Sequence, residues 1–344
     1  MGATEDDAAC RAACSGDTRL HCDSSSHIAP RLVPEHRGPR PYDVGMPDNF
    51  ADRLGEAVER KRTQLVVGLD PRLDLLPVEL RGEAVLGRAA AASAVARFCK
   101  GIIDAVGPYV VGVKPQCAFF EALGADGFRA LEEVCDYARS VGVLVLVDAK
   151  RGDIGSTARA YAAAYLEPRD ATTPLADAIT ASPFLGHDSC EPFIAACRRN
   201  GAGVFFLVRT SNADASEVQD VTLSDGRMLW QYVAELVHEW GQSLVGERGL
   251  SSVGAVVGAT HPRAVSQARK LMPQTPLLLP GVGAQGATPA DVARAFTSGP
   301  ASALVTASRS VIYAFRNTEE DWRTAAGSAA ESLSGQVWAA AGWK

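Results

Sequence analysis

The chain has 344 residues, 47% of them hydrophobic and 22% charged. This composition builds a large core and excludes global disorder, and the length suits one α/β barrel with a tail. A net charge of −6 leaves no basic excess to neutralise a nucleic-acid backbone, and no run of ~18 apolar residues is available for a membrane-spanning helix.

Residues 1–45 are rich in Ser, Pro, Asp and Arg and show no apolar period, as in HCDSSSHIAPRLVPEHRGPRP. They read as a disordered N-terminal extension before a catalytic domain at 46–344. The acidic start MGATEDDAAC lacks the apolar stretch of a secretory signal, and Asp6 breaks the myristoylation pattern. Cys10, Cys14, Cys22, His21 and His27 match no zinc-finger spacing and have no hydrophobic surround, so no metal site is expected there. Cys99, Cys117, Cys135, Cys190 and Cys197 are scattered through helix and strand patterns. They read as reduced core residues of a cytoplasmic protein.

From Phe50 onward, short Val-, Leu- and Ile-rich runs alternate with helical patterns. The expected strands are residues 64–69, 109–113, 143–147, 178–180, 204–208, 253–257, 277–279 and 303–305. Most are continuously apolar, as parallel strands buried on both faces require. About eight strand–helix repeats predict a (β/α)8 TIM barrel, with a doubly wound open sheet as the alternative.

A barrel carries its site at the C-terminal ends of its strands. Here those ends supply Asp70, Lys114, Asp148 with Lys150, Thr180 with Ser182, Thr210 with Ser211, Thr260, the loop Gly281–Gly286, and Ser308 with Arg309. Any one of these could be a loop residue or a helix cap. The charged set is harder to dismiss: of 34 basic residues six are lysine and the other 28 arginine, and two of those lysines, Lys114 and Lys150, follow strands. After so apolar a strand, alternation would point Asp148 and Lys150 the same way. Charges packed this closely shift one another's proton affinity; a structural ion-pair network is the alternative reading.

The loop Gly281-Val282-Gly283-Ala284-Gln285-Gly286 formally matches a dinucleotide fingerprint, but it follows a late strand instead of opening a βαβ unit. An NADP site, with Arg309 on a 2′-phosphate, is one reading of it. A barrel phosphate site is the better one. The glycines would bare backbone N–H groups, and Ser308 and Arg309 would add a helix start and a guanidinium.

With these residues in place, the chain resembles the orotidine 5′-phosphate decarboxylases, in particular the longer-loop bacterial subgroup (type 2). The carrying motif is D-x-K-x-x-D-I-x-x-T, here Asp148, Lys150, Asp153, Ile154 and Thr157. The segments VVGLDPR, VVGVKPQ, TASPFLGHDS, LVRTSN, LLLPGVGAQG and TASRSVIYA also fall in family order between about Phe50 and Ala314. The resemblance implies decarboxylation of orotidine 5′-phosphate to UMP, the last step of de novo UMP biosynthesis, with no cofactor and no metal. It makes Lys150 the proton donor to C6 of the pyrimidine, within an alternating array of Lys114, Asp148 and Asp153. It puts Asp70 and Lys114 on the ribose hydroxyls, Ser211 on the pyrimidine (Ser182 and Thr210 being the alternatives), and Gln285 and Arg309 on the phosphate, with Gly283 and Ser308 beside them. It further implies a homodimer in which Asp153 and Thr157 reach into the neighbouring subunit's site. The rival enzymes are Mg²⁺-dependent sugar-phosphate decarboxylases of the same superfamily and, more distantly, Schiff-base aldolases. A catalytically dead nucleotide-binding barrel is the rival of a different class.

Overall fold

The computed structural model describes residues 49–169 and 173–343. The extension at 1–45 and its Cys/His group lie outside the described residues. Eight parallel strands run in sequence order around a closed barrel: β1 Leu65–Leu69, β2 Gly112–Pro115, β3 Leu144–Arg151, β4 Ala178–Ala181, β5 Gly203–Arg209, β6 Val253–Val257, β7 Leu277–Pro280 and β8 Ala303–Ala307. β8 pairs with β1, which closes the sheet and overturns the open-sheet alternative.

Strand alternation divides the apolar residues between two cores. Val66, Leu144, Leu146, Ala178, Phe205, Val256, Leu278 and Leu304 fill the barrel interior. Their neighbours Leu65, Val67, Val145, Val147, Val204, Phe206, Leu277 and Val305 face the surrounding helices. The floor is closed by the helix Phe50–Lys61. Asn49 caps it by accepting from the Ala51 and Asp52 amides, and it ends at Arg62 in the left-handed region. Phe50 enters the barrel and meets Phe205 edge-to-face, with ring centroids 6.1 Å apart. Two glycines make room: a Cβ at Gly203 would fall 2.4 Å from the Phe50 ring, and one at Gly254 2.3 Å from Phe205. The buried Asp52 carboxylate accepts from the Glu247 and Arg248 amides at 3.0 and 2.8 Å, tying the loop before β6 to the plug.

The same parity, continued upward, sets the site. Above inward-facing Val66 come Gly68 and Asp70; above Leu146 comes Asp148; above Ala178 comes Thr180; above Leu304 come Thr306 and Ser308. An apolar floor therefore passes into a polar rim within one or two steps along each of these four strands.

Two strand boundaries differ from expectation by three residues or more. β2 begins at Gly112, not Tyr109, because Gly107–Tyr109 forms a 3₁₀ turn. Side chains from the end of the Phe50–Lys61 helix and just beyond it occupy carbonyls here: Lys61 Nζ donates to Gly107 and Val110, and Thr63 Oγ1 to Tyr109, all at 3.0 Å. β3 runs on through Lys150 to Arg151 instead of stopping at Val147. A buried arginine also had no sequence signal. Arg269 donates to the carbonyls of Met272, Pro273, Thr275, Ala295 and Ser302, joining the loops under β7 and β8. Burial lowers its pKa to about 10.

Candidate active site

A cavity of about 510 Å³ opens at the C-terminal end of the barrel. Its floor is Leu207, Val256 and Leu278, and its wall carries Asp70, Lys114, Gln116, Asp148, Lys150 and Thr180 on one side. Gln285, Ser308 and Arg309 complete the opposite rim, and Thr210 and Ser211 also line it.

Asp148 is the centre of the charged wall. Its Oδ2 accepts from Lys114 Nζ at 2.6 Å and Gln116 Nε2 at 3.1 Å; its Oδ1 accepts from Lys150 Nζ at 2.5 Å and Thr180 Oγ1 at 2.9 Å. Burial by itself would push this carboxyl up. The two ammoniums outweigh it and hold the carboxyl well below the ordinary carboxylate range. Burial likewise opposes charge on Lys114, but Asp148 and Asp70 together raise its pKa. Lys114 and Asp148 are buried, with side chains 10% and 8% exposed, whereas the Lys150 side chain is 46% exposed and faces the cavity.

Lys150 does not reach Asp148 by simple alternation. Its φ is +47°, one of two positive values among the non-glycine residues described, and β3 shifts register against β4 between Val147 and Arg151. The pair meets across a bulge, where left-handed backbone costs roughly 1–2 kcal/mol.

Asp70, at the end of β1, closes this wall on the side next to β8. Its Oδ2 accepts from Ser308 Oγ at 2.6 Å, while Oδ1 is buried without a hydrogen-bond partner among the described residues. Gly68 lets the two approach, because a Cβ there would lie 2.8 Å from Ser308 Cβ. Tyr313 Oη donates to the Asp70 carbonyl at 2.7 Å and accepts from the Arg72 amide at 2.8 Å, which fixes the turn after β1.

The loop after β5 is shaped from beneath. Arg209 is buried and ion-pairs with Asp220 at 2.9 Å; Gln219 Oε1 accepts from the Thr210 amide at 2.8 Å. Gly258 admits Ser211, since a Cβ would meet Ser211 Cα at 2.8 Å. Ser211 and Thr210 thus line the cavity and Ser182 does not. Gly283 is absent from the lining as well: its amide is spent on the Ala287 carbonyl at 2.9 Å, inside the loop's own turn. Asp153 and Thr157 also stand apart from this chain's cavity. Asp153 Oδ1 accepts from the Ile154 amide at 2.7 Å, and Thr157 is exposed.

Gln116 and Thr306 line the cavity but were not singled out from sequence. For Gln116 the available signal was its place two residues beyond Lys114, on the same side of the strand. Among the described residues, no group of three or more His, Cys, Asp or Glu side chains is placed to hold a metal ion.

Comparison with known proteins agrees with this geometry. Residues 63–325 match the family model described as Orotidine 5′-phosphate decarboxylase / HUMPS family. The chain is 47% identical over 274 residues to an orotidine 5′-phosphate decarboxylase of Rhodopirellula baltica, covering 78% of this chain and 90% of the relative. It is 45% identical over 269 residues to one from Deinococcus radiodurans, covering 78% and 91%. The structure of Leishmania donovani OMP decarboxylase aligns with a TM-score of 0.66 at 32% identity, covering 85% of this chain and 98% of that one. With a closed eight-stranded barrel, a charged wall at its mouth and relatives matched over most of their length, this chain belongs to the orotidine 5′-phosphate decarboxylase / HUMPS family.

Proposed function

We propose that this chain decarboxylates orotidine 5′-phosphate to UMP, with Lys150 as the acid that protonates C6. The observation that carries the reading is the Asp148 carboxylate held between two ammoniums, one buried and one facing the cavity. Loss of CO₂ breaks the C6–carboxyl bond and leaves the electron pair on C6, in an orbital lying in the ring plane. The ring π-system cannot absorb it, so a fixed cation beside C6 must. Lys150 supplies that cation and then transfers a proton to C6, becoming a neutral amine that regains a proton from solvent. Asp148 and Lys114 keep the array charged and in place.

The remaining lining residues fit the rest of the nucleotide. The unsatisfied Asp70 Oδ1 and nearby Lys114 suit the ribose hydroxyls, and Ser211 the pyrimidine. Gln285 and Arg309 at the far rim suit the phosphate, Arg309 through a charge-assisted pair. Gly283 then acts through the shape of its loop, not through its amide. The test is turnover of orotidine 5′-phosphate by the purified chain with a chelator present. Stoichiometric UMP supports the reading; a requirement for a divalent ion points instead to the sugar-phosphate branch of the superfamily. Among the described residues, five buried free cysteines accord with a reducing, cytoplasmic setting, and no helix is long and apolar enough to cross a membrane.

Arg309→Ala is expected to raise KM roughly tenfold to a hundredfold while changing kcat much less, because its partner is remote from C6. Steady-state kinetics check this; an unchanged KM would remove Arg309 from the phosphate site.

A homodimer with shared sites explains why Asp153 and Thr157 stand outside this chain's cavity. Beside them Ile154, Phe184 and Leu185 are 56%, 79% and 51% exposed, on neighbouring loops that touch where Gly152 packs on Ser182. Such an apolar rim suits burial against a second copy. Mixing inactive Lys150→Ala and Asp153→Asn chains under subunit exchange is then expected to restore roughly a quarter of wild-type activity, since about half the dimers are mixed and each regains one intact site. Exchange without recovery would place the action of Asp153 within its own chain.

A further inference from the structure

The register of β3 against β4 isolates one residue. Val147 pairs with Ile179 and Arg151 with Ala181, so Asp148, Ala149 and Lys150 all lie opposite Thr180 alone. By the alternation that turns the Leu144 amide to β2 and the Val145 carbonyl to β4, the Lys150 amide of a regular ladder would face β2. Here it donates to Thr180 Oγ1 at 3.0 Å, and the same hydroxyl donates its one proton to Asp148 Oδ1 at 2.9 Å. The ladder resumes immediately above, where the Ser182 amide donates to the Arg151 carbonyl at 2.7 Å. Outside the barrel, the Arg151 guanidinium is anchored on Glu121 and Tyr165, and one of its nitrogens reaches the Ala149 carbonyl at 3.3 Å. The bulge is thus clamped on both faces, and on the cavity face the clamp is a single side chain.

We propose that Thr180 is a positioning residue: its hydroxyl accepts the Lys150 amide that the bulge turns toward β4, holds Lys150 in its left-handed conformation and aims both Lys150 and Asp148. This rests on the reading of Lys150 as proton donor. Threonine suits the task because its branched Cβ restricts χ1 while its hydroxyl both donates and accepts. Valine has nearly the same shape and can do neither. A misaimed proton donor affects the chemical step; the groups facing the phosphate and ribose are untouched.

The test compares Thr180→Val, Thr180→Ser and wild type in kcat for orotidine 5′-phosphate, UMP affinity by calorimetry, and melting temperature. Calorimetry also counts competent sites, so kcat is expressed per folded site. Thr180→Val is expected to lose at least about tenfold in kcat with UMP affinity within about twofold, and Thr180→Ser to return to within about threefold of wild type. If the valine chain does not fold, Thr180→Ala takes its place. A valine or alanine variant with wild-type kcat beside an active wild type overturns the role of Thr180 alone. So does serine failing to restore what valine loses, or UMP affinity falling in step with kcat. A wild type that binds UMP but does not turn over orotidine 5′-phosphate overturns the underlying reading of Lys150.

Discussion

Lys150→Ala is expected to abolish turnover, with kcat lowered by at least about a thousandfold, while UMP binding and melting temperature stay close to wild type. The size follows from two roles lost together, the cation beside the developing charge and the proton that ends the reaction. The small structural cost follows from position. The Lys150 side chain is nearly half exposed, and Asp148 would keep Lys114, Gln116 and Thr180 as donors. Steady-state kinetics, UMP titration and a thermal melt of the same preparation separate these effects. A variant retaining more than a few per cent of wild-type activity would remove Lys150 from the chemical step.

Asp148→Ala is expected to lose both activity and stability. It strips the buried Lys114 of its closest counter-charge, and breaking a buried pair by removing one partner costs about 3–5 kcal/mol, or roughly 10 °C in melting temperature for a domain of this size. The pH dependence has a definite sign. The folded-state pKa of Asp148 lies below its ordinary value. Its contribution is therefore complete above the unfolded carboxylate pKa of about 3.9, and is lost only as pH falls through the depressed folded value. The gap in melting temperature between wild type and variant should be the same at pH 5 and pH 7 and shrink only below about pH 4. A gap that closes between pH 7 and pH 5 would mean that Asp148 is not held ionised by its neighbours.

The barrel was legible because its strands are short apolar runs between helical patterns, and because the polar residues fall just beyond them. The parity that lifts Asp70, Asp148, Thr180 and Ser308 above the inner core was implicit in the same spacing. What the chain did not disclose arises from contacts between distant residues. The start of β2 depends on Lys61 and Thr63 capturing carbonyls some 46 residues away. The Phe50 plug depends on two glycines in β5 and β6. The left-handed Lys150 has its amide bonded to the Thr180 hydroxyl in the next strand. Within the glycine loop, three positive-φ glycines were readable as a tight turn. That the Gly283 amide faces Ala287 and not a ligand depends on the loop's own closure.

The most direct measurement is turnover in D₂O with a chelator present, followed by mass spectrometry and NMR of the product. A site in which Lys150 protonates a C6 carbanion converts orotidine 5′-phosphate to equimolar UMP and CO₂, and the UMP carries a single deuterium at C6. Orotidine 5′-phosphate recovered unchanged by a chain that still binds UMP, or UMP formed without deuterium at C6, would contradict it.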